Sequence, residues 1–544
     1  MAISSTHKAQ IWNMLNELRG KIETSEYKNY VFGLMFYKFL SEKIETYVTD
    51  NADAFDGMTY QEAYEDALAE DDVDGLFRDI QEAIGYYIQP SELWGSFIKA
   101  INENKFDLVT FIDAIQHFNT QIFIDVNDPD KRAQKAFDDI FADMDLRSNR
   151  LGSDQSNRTK TLTSMMTLVE DLSVDFEKDG DVLGDIYEYL IGMFAKESGG
   201  KAGEFYTPHQ VSHLMARVLA DGRPQPTKPE DRFSMYDPTM GSGSLLLTMA
   251  HELPDWTIEY YGQELNTTTY NLARMNLMLK GVDYKNIHLR NGDTLQDDWP
   301  DGVVEGVDTP RQFDAVMANP PYSLKWDAKE TGREDDPRFR DYGVAPAAHA
   351  DFAFMLHSLY HLKAGGRMAI VLPHGVLFRG GSEAKIREAL IKNNNISAII
   401  GLPEKIFTNT GIETVIMIVE KQRTENGVLF IDGSKLYEKS TNGNVMTSEH
   451  LDKIFEAYQN GVDVPKFAHM ADTKELQENN FNLNIARYVD TFDDEEEIDL
   501  VDLQKQLAEV DAQIADEKST LLEMAEDLKG NADVLAAIKA VFGG

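Results

Sequence analysis

Cysteine is absent from the 544 residues, which excludes disulfides, thiolate-held zinc, iron–sulfur clusters and every cysteine nucleophile. Positive charge is scarce as well: 52 Lys and Arg stand against 93 Asp and Glu, a formal net charge of −41. That balance argues against a chain that binds nucleic acid non-specifically through its own charge. No apolar run approaches the roughly 18 to 20 residues of a membrane helix. The opening stretch MAISSTHKAQIWNML lacks the charged lead, apolar block and small-residue cleavage site of a secretory signal. A cytoplasmic protein without membrane association is therefore expected. Core-forming residues are plentiful: 42% of the chain is hydrophobic, enough for two or three domains.

Three segments follow from rhythm and punctuation. Over residues 1–160 apolar positions recur at three and four, as in Trp12, Leu15 and Leu18 and again in Val31, Leu34, Met35 and Leu40, which predicts a helical domain. A helix over about 208–219 then meets DGRPQPTKPEDR, whose glycine and prolines stop it. Beyond lie short apolar runs at 233–236, 258–263, 286–289, 313–318, 367–372, 396–401 and 415–419. They lack polar alternation, as strands covered on both faces do, and they alternate with helical pattern. Residues 161–430 thus read as a doubly wound, mostly parallel α/β domain. The remainder, 431–544, holds one more strand, VLFID, the acidic run DDEEEID and long terminal helices. There Leu500, Leu503, Leu507, Val510, Ile514, Leu521, Met524 and Leu528 keep mostly three, four or seven spacing. That pattern suits an antiparallel hairpin, a seam facing a partner, or a helix packed on its own domain.

The chemistry begins at Asp237-Pro-Thr-Met-Gly241-Ser242-Gly243-Ser244, directly after a strand and before the apolar helix start Leu245, Leu246, Leu247. Glycines there let backbone approach a ligand at the strand's carboxyl end. The next strand ends in Glu264, at the distance from the glycine loop where a carboxylate holds a ribose diol. The third glycine of the dinucleotide fingerprint is replaced by leucine, so a ribose-bearing cofactor without pyrophosphate fits better. Asp293 follows the third strand, and its carboxylate can accept a hydrogen bond from an adenine amine.

The fourth strand ends in Asn319-Pro320-Pro321-Tyr322. An amine conjugated with a base is a weak nucleophile because its lone pair is delocalised into the ring. The Asn319 side-chain oxygen and the Pro320 carbonyl supply two acceptors for its hydrogens and favour the pyramidal form as charge develops. The prolines stiffen the loop, and Pro321 has no N–H to compete for those acceptors. Tyr322 offers a ring for an extruded base, worth about 1–3 kcal/mol of stacking.

These residues resemble the amino-methylating, S-adenosylmethionine-dependent DNA methyltransferases in which the glycine loop precedes Asn-Pro-Pro-Tyr. Further stretches, GEFYTP at 203–208, RGKIETSEYKNYVFGLMFYKFLSEK, LFRGGSEAKIREAL and FNLNIARYV, resemble the modification subunit of type I restriction–modification systems over nearly the whole chain. The resemblance implies adenine N6 methylation in double-stranded DNA, with S-adenosyl-L-methionine as cofactor. It also implies a separate specificity subunit, a motor-bearing restriction subunit and a second copy of the chain within one complex. It assigns Glu204, Phe205, Tyr206, Thr207, Pro208 and His209, together with Asp237, Gly241, Ser242, Gly243, Ser244, Glu264 and Asp293, to the cofactor, and Asn319 to Tyr322 to catalysis. Met240 stands where the family often has a small residue. The missing cysteine independently excludes methylation at cytosine C5, which needs a thiol to attack the ring.

A base inside a duplex must be flipped out, and Phe407, in GLPEKIFTNTGIET, is a candidate second wall for it, with an ordinary core role as the alternative. His209 with His213, and His357 with His361, have helical metal-ligand spacing but lack the adjoining Glu of the H-E-x-x-H pattern; no metal is expected. The polar stretch 325–350 is expected to be mobile without DNA and to order over the flipped base. Residues 361–424 carry nine cations against five carboxylates and are expected to face DNA, with a partner supplying most phosphate affinity. Two competing functions are a protein-glutamine N-methyltransferase, since the same tetrapeptide suits any planar nitrogen, and a non-catalytic assembly subunit.

Overall fold

The apolar runs pair into a single nine-stranded sheet in the computed structural model. The structure describes residues 24–128, 131–171, 186–187, 189–193, 207–296, 303–304, 307–330, 333–407, 411–440, 443–490, 500–526 and 532–542. Expectations for Trp12, Leu15, Leu18, Glu204, Phe205, Tyr206, Leu528 and the acidic run 493–499 lie outside those residues.

The strands are β1 (Arg232–Asp237), β2 (Thr257–Glu264), β3 (Ile287–Asn291), β4 (Phe313–Ala318), β5 (Leu362–Pro373), β6 (Ile396–Gly401), β7 (Thr414–Glu420), β8 (Val428–Asp432) and β9 (Ala468–Ala471). Their spatial order is β9-β8-β6-β7-β5-β4-β1-β2-β3. Strands β3, β2, β1, β4 and β5 run parallel. Strand β7 lies antiparallel between β5 and β6, β8 is parallel to β6, and β9 is an antiparallel edge. From β1 the chain moves outward through β2 and β3, then returns to place β4 on the other side of β1. That reversal opens a crevice at the carboxyl ends of β1 and β4, where ligands bind in open α/β sheets.

Period-two alternation sends neighbouring side chains to two separate apolar layers. Met235, Ala315, Met317, Ala369 and Val371 join the first, with the helices His209–Ala220, Ser244–Glu252 and Thr267–Leu279. Tyr236, Val316, Ala318, Met368 and Ile370 join the second, with Asp351–Tyr360 and Ser382–Lys392.

The N-terminal region is helical, and Val31, Leu34, Met35 and Leu40 are buried on the helix Thr24–Asp50. Its core is continuous with the first layer of the sheet. Polar ties reinforce the join: Asp143 accepts from Thr268 (2.6 Å) and Asn271 (2.7 Å). Arg274 donates to the carbonyls of Lys135 (3.1 Å) and Asp138 (2.8 Å). The helix Gln155–Asp171 runs through position 160 and β8 spans position 430, so neither position is a break in the structure. Residues 1–490 form one compact unit and 491–544 another. In the latter, Leu500–Glu526 and Ala532–Phe542 pack on each other, and Leu503, Leu507, Val510 and Ile514 are exposed. Among the described residues no helix is long and apolar enough to cross a membrane.

Candidate active site at the carboxyl ends of β1 to β4

A cavity of about 660 Å³ occupies the crevice, lined among others by Thr239, Gly241, Ser242, Glu264, Asp293 and Asn319. Four segments expected to meet on functional grounds thus share one space, of the size small-molecule sites have.

Gly241 and Gly243 both have positive φ, 53° and 78°, a conformation costly for other residues. A Cβ on Gly243 would lie 2.5 Å from Leu277 Cδ1. The loop is clamped from two directions. Glu264 accepts from the Gly241 N–H (3.1 Å) and the Asn266 N–H (2.8 Å), which fixes its carboxylate at the cavity wall. Asn276, fully buried, donates to the Ser242 carbonyl (2.9 Å). Sequence reasoning missed Asn276; polar character on an otherwise buried helix was the available signal. Met240 turns away from the solvent into the core, and its N–H donates to the Gln263 carbonyl (3.0 Å).

Asp237 is wholly buried and is not among the cavity-lining residues. One carboxylate oxygen accepts from the Thr239 N–H (2.9 Å), and the other has no hydrogen-bond partner. Burial pushes its carboxyl up to about 8, partly offset by the Thr239 N–H, while the charge of nearby Glu264 adds to the rise. Asp237 shapes the glycine loop from beneath. Ser244 begins the following helix, and its hydroxyl lies 3.2 Å from that of Ser242. Asp293 lines the cavity and accepts from the Leu295 N–H (2.9 Å).

On the opposite wall Asn319 is buried. Its amide nitrogen donates to Thr207 Oγ1 (3.0 Å), and its amide oxygen accepts from the Tyr322 hydroxyl (2.7 Å). An amide oxygen has two lone pairs, so one acceptor position remains. Thr207 is therefore joined to Asn319, and neither it, Pro208 nor His209 lines the cavity. Pro321 does, and Pro320 is buried. Tyr322 is half-buried, with Phe407 edge-on at 6.1 Å between ring centroids. Phe407 is itself only 2% exposed and belongs to the core that supports Tyr322. The lining also includes Ile191, Thr267, Leu324 and Phe354, none singled out by motif; the apolar ones carry no signal that separates pocket from core.

The described residues of the stretch 325–350, expected to order over the flipped base, make side-chain contacts to the turn after Asp293. Buried Arg338 donates to the carbonyls of Thr294 (2.9 Å) and Leu295 (3.2 Å) and pairs with Asp336 (2.7 Å). Buried Arg333 donates to the Leu295 carbonyl (2.9 Å) and pairs with Glu330. Two guanidiniums that satisfy buried carbonyls are expensive to withdraw, so the segment is held against the turn that follows Asp293. Arg338 also meets His357 Nδ1 (3.2 Å), whose Nε2 faces the Tyr236 hydroxyl (2.9 Å). Burial holds His357 well below the usual imidazole range, aided by His361 and Arg338. His361 Nδ1 lies 2.6 Å from the Arg311 carbonyl, and His213 pairs with Glu252 (2.9 Å).

Most of the cations in the positive stretch 361–424 have partners within the chain. Lys363 pairs with Asp314, Arg367 with Glu420, Arg379 with Asp351 and Lys392 with Glu388. Arg387, Lys421 and Arg423 donate to main-chain carbonyls. These seven cations have partners within the chain, whereas Lys385 and Lys405 are exposed.

Comparison with known proteins agrees with this geometry. The family described as N-6 DNA Methylase matches residues 178–497, and the HsdM N-terminal domain matches 7–169. The type I restriction enzyme MpnII methylase subunit of Mycoplasma pneumoniae is 33% identical over 541 residues, covering 96% of both chains. The MjaVII methylase subunit of Methanocaldococcus jannaschii is 33% identical over 373 residues, 66% of this chain and 61% of that one. Among solved structures, the type I restriction-modification system methyltransferase subunit from Streptococcus thermophilus matches with a TM-score of 0.79 and 42% identity. It covers 90% of this chain and 100% of that one. A loop of glycines at β1, the Glu264 carboxylate at β2 and Asn319 at β4 meet in one cavity, and the chain that builds them belongs to the N-6 DNA methylase family.

Proposed function

We propose that this chain is the methylase subunit of a type I restriction–modification complex and methylates N6 of an adenine flipped out of double-stranded DNA. One observation carries the reading: the Asn319 amide opens onto the same cavity as Gly241, Glu264 and Asp293. The residues fit S-adenosyl-L-methionine. The Glu264 carboxylate, fixed by two backbone N–H groups, would hold the ribose hydroxyls. Asp293 would take the adenine amine, and Gly241 and Ser242 leave room for close backbone approach.

When bound, that cofactor supplies an electrophilic methyl group on sulfur. The chain's own contribution is positioning and charge stabilisation. The free lone pair of Asn319 Oδ1 and the Pro320 carbonyl accept the two N6 hydrogens and draw the nitrogen lone pair out of conjugation. With both hydrogens held, the nitrogen lone pair is free to take the methyl group the cofactor would supply, and the proton N6 then loses would pass by way of these acceptors to solvent. Tyr322 stacks on the base as it enters, displacing water from the acceptors.

A specificity subunit would choose the site and supply most phosphate affinity, since most cations in 361–424 have partners within the chain. A restriction subunit and a second copy of this chain complete the complex. The test is to purify the chain with its specificity subunit, add unmodified DNA and labelled cofactor, and map N6-methyladenine. Label is expected at adenine N6 and is expected to vanish in Asn319→Ala. Label in protein, or undiminished methylation by Asn319→Ala, would overturn the proposal.

A further inference from the structure

Arg379, in the stretch LFRGGSEAKIREAL, reaches away from its own loop. Its Nη1 lies 3.1 Å from Asp351 Oδ2 and 3.3 Å from Glu383 Oε1. Both carboxylates are buried, Asp351 completely. The other Asp351 oxygen, Oδ1, accepts from the Ser323 N–H at 2.8 Å. Ser323 directly follows Tyr322 and has φ of 52°, a left-handed conformation that a non-glycine residue keeps only when its surroundings hold it. The next residue is tied to the same place, because the Ala350 N–H donates to the Leu324 carbonyl (2.9 Å). Asp351 is also the first residue of the helix Asp351–Tyr360, where a carboxylate is favoured by the helix dipole. Phe354 of that helix lines the cavity. Gly375 makes room for the arrangement, since a Cβ there would lie 2.7 Å from Arg379 Nε.

We propose that Asp351 and Arg379 are positioning residues for methyl transfer: the buried ion pair fixes the left-handed turn at Ser323 and thereby the placement of Asn319 and Tyr322. The proposal rests on the reading of Asn319 to Tyr322 as the catalytic loop. Arg379 neutralises the buried Asp351 so that its second oxygen can stay fixed on the Ser323 N–H. Without the guanidinium two buried carboxylates face each other unpaired, and the anchor of the turn loosens.

The experiment uses the methylase assembled with its specificity subunit and measures single-turnover methyl transfer per folded complex beside equilibrium cofactor binding. Arg379→Met and Asp351→Ala are expected to slow transfer by about 10- to 100-fold, the scale of a displaced reacting group, with the cofactor Kd within about twofold of wild type. Asp351→Asn, whose amide oxygen still accepts from Ser323, should retain more activity than Asp351→Ala, and Arg379→Lys should recover much of what Arg379→Met loses. Should Arg379→Met fail to accumulate, the two Asp351 variants, which leave Arg379 paired with Glu383, carry the same comparison. Transfer within twofold of wild type would overturn the proposal, as would transfer and cofactor affinity declining in parallel. Asn319→Ala, run alongside, separates the layers. If it is inactive while Arg379→Met and Asp351→Ala are fully active, only the positioning role fails; if it is fully active, the catalytic reading and the positioning role fail together.

Discussion

On the cofactor side of the cavity the fixing contacts come from nearby in the chain: Glu264 reaches a backbone N–H 23 residues away, and Asn276 a carbonyl 34 residues away. On the base side they come from elements elsewhere in the fold, at unequal distances along the chain. Asn319 is oriented by Thr207, 112 residues earlier, and the turn after Tyr322 by Asp351 and Arg379. The first wall is a property of a βαβ unit, rigid as soon as that unit folds. The second is assembled by tertiary structure, and its acceptors are only as well placed as the remote side chains that hold them.

That contrast predicts two failure modes. Asn319→Ala should reduce methyl transfer by about 10²- to 10³-fold, the scale seen when one group that stabilises developing charge is removed, with cofactor binding intact by titration calorimetry. Glu264→Ala should do the reverse, raising the cofactor Kd by about 10- to 100-fold through loss of charge-assisted hydrogen bonds. If both variants lose cofactor and turnover together, the walls are not independent.

Gly243→Ala strains a left-handed residue and meets Leu277, so the thermal midpoint should fall with about 1–3 kcal/mol of stability. Cofactor should restore part of that loss by mass action. Thr207→Val frees the Asn319 amide and should slow transfer by about fivefold, one ordinary hydrogen bond, with Thr207→Ser close to wild type; equal loss in both would assign Thr207 to packing.

A further prediction is a pH dependence, and it concerns Asp237. Its folded carboxyl titrates at about 8, against an ordinary value of 3.8. Between those pH values the folded chain binds the extra proton, so this group's contribution declines as pH rises from about 4 to about 8 and is level above. Thermal unfolding of cofactor-free Asp237→Asn should therefore gain on wild type across that interval; parallel curves would show that Asp237 does not titrate there.

Legibility followed the same division. The glycine loop, Glu264, Asp293 and Asn319 were readable because a strand followed by a ligand-binding turn leaves a local mark, and seven strands were read within a few residues of their ends. Strand β9, AHMA, was not, since its His469 and Met470 are only partly buried and the strand is an edge. The antiparallel direction of β7 was also hidden, because an interior strand is apolar on both faces whichever way it runs. Charge was less legible, because part of the cation excess in 361–424 pairs with carboxylates and main-chain carbonyls within the chain, and a sum of charges does not distinguish those from cations facing outward.

One packing detail constrains how such a sequence can drift. A Cβ on Gly262 of β2 would fall 2.4 Å from Met240 Sδ. The bulky residue in the glycine loop fits because its neighbour on the next strand has no side chain. Positions 240 and 262 are therefore coupled: an alanine at 240 would remove the sulfur contact with a Cβ at 262, although the Met240 Cβ (3.2 Å) and Leu289 Cδ2 (3.1 Å) would still crowd it. A double-mutant cycle on those two positions should return a coupling of about 0.5–3 kcal/mol, with Gly262→Ala costing less in the Met240→Ala background than in wild type.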